Sequence, residues 1–177
     1  VHDAARNPLF AQFLLRYMKT EAEPTLRPLP GVDLDAYQNK LIARYSNEHV
    51  ADTIARLCAD SSDRIPKWLV PVIRENLATG GEVALSAAIV ASWARYAEGV
   101  DENGEPIEVV DRLADQVRAA AARQAEDPLA FLRQRDLFGD LVEDERFTAP
   151  YLRALESLHA HGASKTLEAI MGAEVSA

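Results

Sequence analysis

Residues 82–98, EVALSAAIVASWARYAE, constrain the fold more than any other stretch of the chain. The segment is rich in alanine, holds neither proline nor glycine, and places Leu85, Ile89, Trp93 and Tyr96 at helical spacing. Apolar residues surround much of its circumference, so the helix it forms must be covered on most sides. Gly99 follows as a C-terminal stop. A chain built around such a helix needs further amphipathic helices to cover it, and the flanking sequence supplies them.

Asn7-Pro8 joins an N-cap to a proline at the first helical position, and Leu9, Phe10, Phe13, Leu14, Tyr17 and Met18 recur at helical spacing until Pro24. After a proline-rich connection to Gly31, Asp33 caps a second helix to Tyr45, with Leu34, Tyr37, Leu41 and Ile42 as the expected buried stripe. Asn47 is the expected cap of a third, carrying Val50, Ile54, Leu57 and Cys58. Ile65 to Leu77 reads as helical with a break at Pro71, stopped by Thr79-Gly80-Gly81.

Beyond the central helix, Asn103-Gly104 marks a tight turn, and Ile107 to Val110 is a candidate strand without a partner. Asp111 is the expected cap of a helix running into Ala122, and Asp127-Pro128 repeats the cap-and-proline start ahead of Leu129 and Leu132. Thr148 and Pro150 open a helix bearing Leu152, Leu155 and Leu158, closed by Gly162, and Ser164 caps a last one. The expected fold is all-α, a single compact domain over residues 1–177. It comprises about ten helices joined by short connections.

Composition narrows the function. The net charge is −9, and no basic run exceeds Arg133-Gln134-Arg135, so nucleic acid and acidic membranes are not expected partners. No apolar run is long enough to span a bilayer. The lone Cys58 allows no intrachain disulfide, which fits a reducing, cytoplasmic setting, and its apolar neighbours mark it as a small core residue. The glycines form no dinucleotide fingerprint and no phosphate loop. His159 and His161 stand two apart, so on a helix they point to different sides and are expected to be solvated; no metal site is expected. Glu143-Asp144-Glu145 reads as a solvated turn. The chain shows no self-contained active site.

One region breaks the helical rhythm. Asp60, Ser61, Ser62 and Asp63 form a knot of residues that bond their own backbone, between helical stretches and ahead of Pro66 and Pro71. Arg56 and Arg64 flank it. On an unbroken helix they would stand about 12 Å apart along the axis, whereas a turn at the knot lets both guanidinium groups approach one ligand. The alternative pairs each arginine with a neighbouring aspartate (Asp52, Asp60 or Asp63) as weak surface contacts, with Lys67 a third, solvated cation.

A series of segments in collinear order resembles the C-terminal domain of the long-chain mannitol dehydrogenase family of polyol and hexuronate oxidoreductases. They are Val1-His2-Asp3-Ala4 with Asn7-Pro8, Glu23-Pro24-Thr25-Leu26 with Pro30-Gly31-Val32-Asp33, and Arg44-Tyr45-Ser46-Asn47. Then come Arg56-Leu57-Cys58-Ala59-Asp60-Ser61-Ser62 through Pro66, Trp93-Ala94-Arg95-Tyr96 leading to Gly99 through Gly104, and Gly162-Ala163-Ser164-Lys165-Thr166-Leu167. The resemblance implies a metal-independent enzyme that moves hydride between NAD or NADP and a sugar alcohol or hexonate. It implies an N-terminal Rossmann-type domain as partner, which holds the nucleotide while the helical domain closes over the substrate.

The family's general base is a lysine in a Lys-x4-Asn-x2-His motif. No lysine here has that spacing, so the resemblance assigns no catalytic, cofactor-binding or metal-binding residue to this chain, and Lys67 is not a substitute base. The chain is expected to start shortly after the motif, and the fragment alone to be inactive. Two substrate-binding residues carry over by resemblance, Arg56 and Arg64, the latter in the place of a lysine in an Asp-Gly-Ser-x-Lys pattern. Ser61 stands where that pattern has glycine, and an arginine at 64 points towards a carboxylate-bearing hexonate. The competing reading is a helical protein-interaction module without catalysis, in which the knot is only a structural turn.

Overall fold

The computed structural model describes residues 7–49 and 53–172, apart from the side chain of Ile54. The first helix, α1, spans Pro8–Tyr17, and the Asn7 side chain accepts from the amides of Leu9 (3.0 Å) and Phe10 (3.3 Å) as expected of its cap. The chain does not stop there: a π-helical turn, Met18–Ala22, and a 3-10 turn, Glu23–Thr25, carry it to the proline connection. α2 spans Leu34–Tyr45 behind Asp33, α3 Ile54–Cys58 and α4 Ser61–Arg64. A second π turn, Ile65–Leu69, leads into α5, Val70–Thr79. Then follow α6 (Ala84–Tyr96), α7 (Ala114–Ala121), α8 (Arg135–Phe138) and α9 (Glu145–Gly172).

The all-α expectation holds. Among the described residues the only ladder contact is an isolated bridge between Val100 and Pro106, and residues 107–110 run extended without pairing. No helix among them is long and apolar enough to cross a membrane.

α6 is the central helix. Leu85, Val90 and Trp93 are buried on it, together with Ala87, Ala88, Ala91 and Ala94, whose small side chains allow close approach from several sides. α9 makes its main packing against α6. The Trp93 ring meets Phe131 edge-on, with centroids 5.0 Å apart, and lies 5.8 Å from Phe138.

The N-terminus of α6 has no cap of its own, since Val83 supplies no side-chain bond. Glu21 takes that role from across the fold. The wider π turn brings Glu21 inward, and the residue is 0% exposed. Its carboxylate accepts from the amides of Leu85 (2.6 Å) and Ser86 (2.8 Å) and from the Ser86 hydroxyl, while Asn76 Nδ2 donates to its carbonyl (2.8 Å). The unmet N–H groups at a helix start thus meet a negative group placed where the helix dipole favours it.

Several expectations need correction. α2 buries Gln38, whose amide donates to Glu23, whereas Tyr37 is 58% exposed and Leu34, Leu41 and Ile42 are half-buried, because α2 packs on one side only. Asn47 bonds the His49 amide in a local turn and Thr53 caps α3; Val50 lies outside the described residues. Pro71 sits in the first turn of α5, so it begins a helix where a break was expected. Residues 122–134 form successive turns, with Asp127 bonding the Leu129 amide and the Arg133 guanidinium.

α9 already starts at Glu145, and Pro150 lies inside it. Gly162 (φ 75, ψ 179) then turns the chain sharply, with Ser157 meeting Thr166 across the corner. The Ala163 amide donates to Glu102 (2.6 Å), a carboxylate from the 101–106 turn that stands in for the expected Ser164 cap. His159 is exposed as expected and also contacts Glu98 at 2.7 Å, and Gln124 joins that carboxylate to buried Tyr151.

The Glu21 arrangement yields a stability prediction. Glu21→Ala leaves three donors without an acceptor in a dry site, an expected loss of about 3 kcal/mol in urea unfolding. Burial pushes the Glu21 carboxyl up, against the pull of the Ser86 hydroxyl and the two amides. An acid raised in the folded state adds stability as pH falls through its raised pKa towards the ordinary range near about 4.3. That increment is expected in the parent chain and absent in Glu21→Gln.

Candidate substrate-binding site

The knot is a short helix, a reversal and a new helix. Thr53 Oγ1 accepts from the Arg56 amide (3.2 Å) to start α3, which lasts one turn. Ala59 is extended, and Asp60 adopts the left-handed conformation (φ 53, ψ 37) that few residues besides glycine, asparagine and aspartate visit. α4 then sets off in a new direction. Because the left-handed residue is Asp60, position 61 has no need of glycine. Ser61 starts α4 and closes the turn by donating its hydroxyl to the Cys58 carbonyl (2.8 Å).

A distant segment holds this reversal in place. The Asp60 amide donates to the Val110 carbonyl (3.0 Å), and Asp60 Oδ1 accepts from the Arg112 amide (3.2 Å). Asp111, expected as a plain helix cap, accepts from the Ser62 amide (2.9 Å) and the Ser62 hydroxyl as well as from the Leu113 amide (2.8 Å). Ser62 is 1% exposed, so these bonds lie in a nearly dry pocket and count for more than surface ones. Sequence reasoning missed Asp111 as a member of the site. Ser62 and Asp111 are 49 positions apart, and no local pattern signals such a pairing.

Arg64 is half-buried and donates from Nη1 to the Leu57 carbonyl (2.9 Å), so its guanidinium lies against the turn of α3 that carries Arg56. Five donors on a guanidinium leave others for a ligand after that bond. Arg56 is exposed on α3. Of the aspartates of the knot, Asp63 pairs with Lys67 (2.7 Å) and faces Arg112 (3.7 Å), with Arg64 adding to the positive field on it, and Asp60 holds the Arg112 backbone. Lys67 chiefly holds the Asp63 carboxyl below its ordinary value. Asp52 lies outside the described residues. Lys67 is thus an ion-pair partner, and the two arginines stand on the two short helices that meet at the reversal.

The inner side of the knot is apolar. Cys58 and Ser61 border a cavity of about 690 Å³ shared with α1, α2 and α6. Burial pushes the Cys58 thiol up, with Arg64 opposing, so Cys58 stays protonated at neutral pH. Just outside, Trp68 is 74% exposed.

Two outcomes are expected. Asp111→Ala strands the Ser62 amide and hydroxyl and lowers stability by about 2 kcal/mol, read from a thermal or urea midpoint. Cys58 reacts with iodoacetamide more slowly than free cysteine at pH 7, and the rate climbs only above the ordinary thiol range near about 8.5. Rapid labelling at neutral pH contradicts the half-buried, raised thiol.

Comparison with known proteins places this geometry. The sequence profile of the mannitol dehydrogenase C-terminal domain matches residues 1–159. A mannitol 2-dehydrogenase of Aspergillus fumigatus is 38% identical over 168 residues, covering 94% of this chain and 34% of that protein. The one from Pyrenophora tritici-repentis is 36% identical over 169 residues, covering 95% and 29%. Among solved structures, the Pseudomonas fluorescens mannitol 2-dehydrogenase ternary complex with NAD and D-mannitol superposes with a TM-score of 0.91 at 34% identity, covering 97% of this chain and 35% of that one. A D-sorbitol dehydrogenase in substrate-free form shares the fold at a TM-score of 0.83 and 20% identity, over 94% of this chain and 34% of that one. The chain spans about a third of the length of the curated relatives it matches. It belongs to the mannitol dehydrogenase family, as that family's C-terminal domain.

Proposed function

We propose that this chain is the substrate-binding part of a cytoplasmic NAD(P)-dependent dehydrogenase acting on a sugar alcohol or a hexonate. Arg56 and Arg64 bind and orient the substrate's hydroxyls or terminal carboxylate. The observation that carries this reading is the bond from Arg64 to the Leu57 carbonyl, which draws its guanidinium to the turn bearing Arg56. Two forked donors held on short helices, themselves pinned by Asp60 and Asp111, suit a ligand rich in vicinal oxygens.

Positioning is the contribution this arrangement makes to catalysis. A bound nicotinamide would supply the hydride chemistry. The described residues hold no glycine-rich strand–turn–helix, so they do not fit a dinucleotide, and the nucleotide and the catalytic lysine belong to a Rossmann-type domain partnering this one. Family membership favours this reading over a protein-interaction module. An arginine at 64 adds a bidentate fork, which favours a carboxylate-bearing hexonate over an uncharged polyol.

The test uses the full-length enzyme. Arg56→Ala is expected to lower kcat/KM by roughly 10- to 100-fold, about 1.4–2.8 kcal/mol in transition-state binding, with little change in Tm. Arg64→Lys keeps the charge and is expected to lose more activity on a hexonate than on mannitol. Intact kinetics with a large loss of stability would return both arginines to the surface ion-pair reading. The isolated chain is expected to fold, to turn over no substrate and to bind no nucleotide; turnover by the isolated chain would overturn the assignment.

A further inference from the structure

The cavity behind the knot, about 690 Å³, has no part in the proposed function. Phe10 and Leu14 come to it from α1, Leu41 and Ile42 from α2, and Ile89 and Trp93 from α6. Among the described residues no charged side chain lines it. Three of its hydroxyl groups are already spent: Ser61 bonds the Cys58 carbonyl, Ser92 the Ala88 carbonyl, and Tyr96 the Glu108 carbonyl. One ring nitrogen is not. Trp93 Nε1 is enclosed and has no hydrogen-bond partner among the described residues.

The helices around the cavity are under-packed for their sequence. α1 fully buries only Phe13 and α2 only Gln38, while Leu14, Leu41, Ile42 and Ile89 remain half-covered and Leu57 is 40% exposed at the rim. Protein interiors are close-packed, and a cavity of about 690 Å³ lined in this way is open apolar surface awaiting a partner.

We infer that this cavity seats an apolar segment of the polypeptide that full-length relatives carry outside the matched stretch. The segment bears no charge where it enters. Three facts favour this occupant. The chain spans about a third of its relatives' length, so most of the full enzyme must pack against something. The lining offers no counter-charge, which suits buried aliphatic side chains better than a polar metabolite. The cavity also adjoins Cys58 and Ser61 at the knot, so a segment seated there lies beside the proposed substrate contacts and helps hold the reversal in shape. The inference rests on the proposed function, because it takes the missing partner to be the rest of a dehydrogenase.

Hydrogen–deuterium exchange of the isolated chain and of the full-length enzyme separates the possibilities, with turnover of D-mannitol and of a hexonate measured on the same full-length sample. Amides of residues 8–17 and 34–45 are expected to exchange at least tenfold more slowly in the full-length enzyme. Leu14→Glu, which places a charge in the apolar lining, is expected to abolish that protection. An active enzyme whose residues 8–17 and 34–45 exchange as fast as in the isolated chain overturns the docking and leaves the function standing. Protection in an enzyme inactive on both substrates upholds the docking and sinks the function. Protection of the isolated chain that grows with its concentration, or a small apolar molecule retained by it in native mass spectrometry, assigns the cavity to a second copy or a ligand and overturns the inference.

Discussion

The fold depends on how the start of its central helix is satisfied. α6 is buried on nearly every side, so its first amides cannot turn to water. Glu21 meets them from a different part of the chain, and it can do so because a π turn widens the end of α1. The same residue's carbonyl binds Asn76 in α5. One enclosed residue, through its carboxylate and its backbone carbonyl, therefore ties the turn after α1 to α6 and α5, and α9 packs along the helix so positioned.

The knot repeats this solution on a smaller scale. A left-handed aspartate reverses the chain, and carboxylates hold the reversal by accepting backbone amides from the two sides, Asp60 from Arg112 and Asp111 from Ser62. This leaves the basic residues divided by task. Lys67 and Arg112 neutralise Asp63, Arg64 bridges to Leu57, and the exposed Arg56 stands on the same turn. Carboxylate-to-amide bonds thus fix the backbone that carries the two guanidinium groups.

The two faces of the knot differ in character. Its polar face carries the arginines, while its inner face is aliphatic and open, continuous with half-covered helices α1 and α2. The domain thus has its own dry core on one side and an open apolar cavity on the other, in a chain that spans about a third of the length of the curated relatives it matches.

Much of this was legible in the sequence. Alanine content and period marked α6; Asn7-Pro8, Asp33 and Gly80 marked helix ends, because these signals act within one turn of the backbone. Arg56 and Arg64 were legible as candidates beside a chain reversal. Tertiary structure alone decided the rest. Glu21 reads as one more polar residue near the end of an amphipathic helix and Asp111 as a helix cap, yet each finds its partner across the fold. Tyr37 follows the period of a buried stripe and is exposed, since the face of α2 that bears it has nothing packed on it. Local sequence determines which segments are helical and where they stop. Which polar groups are buried together, and which apolar faces stay open, depends on contacts between residues far apart in the chain, which periodicity does not record.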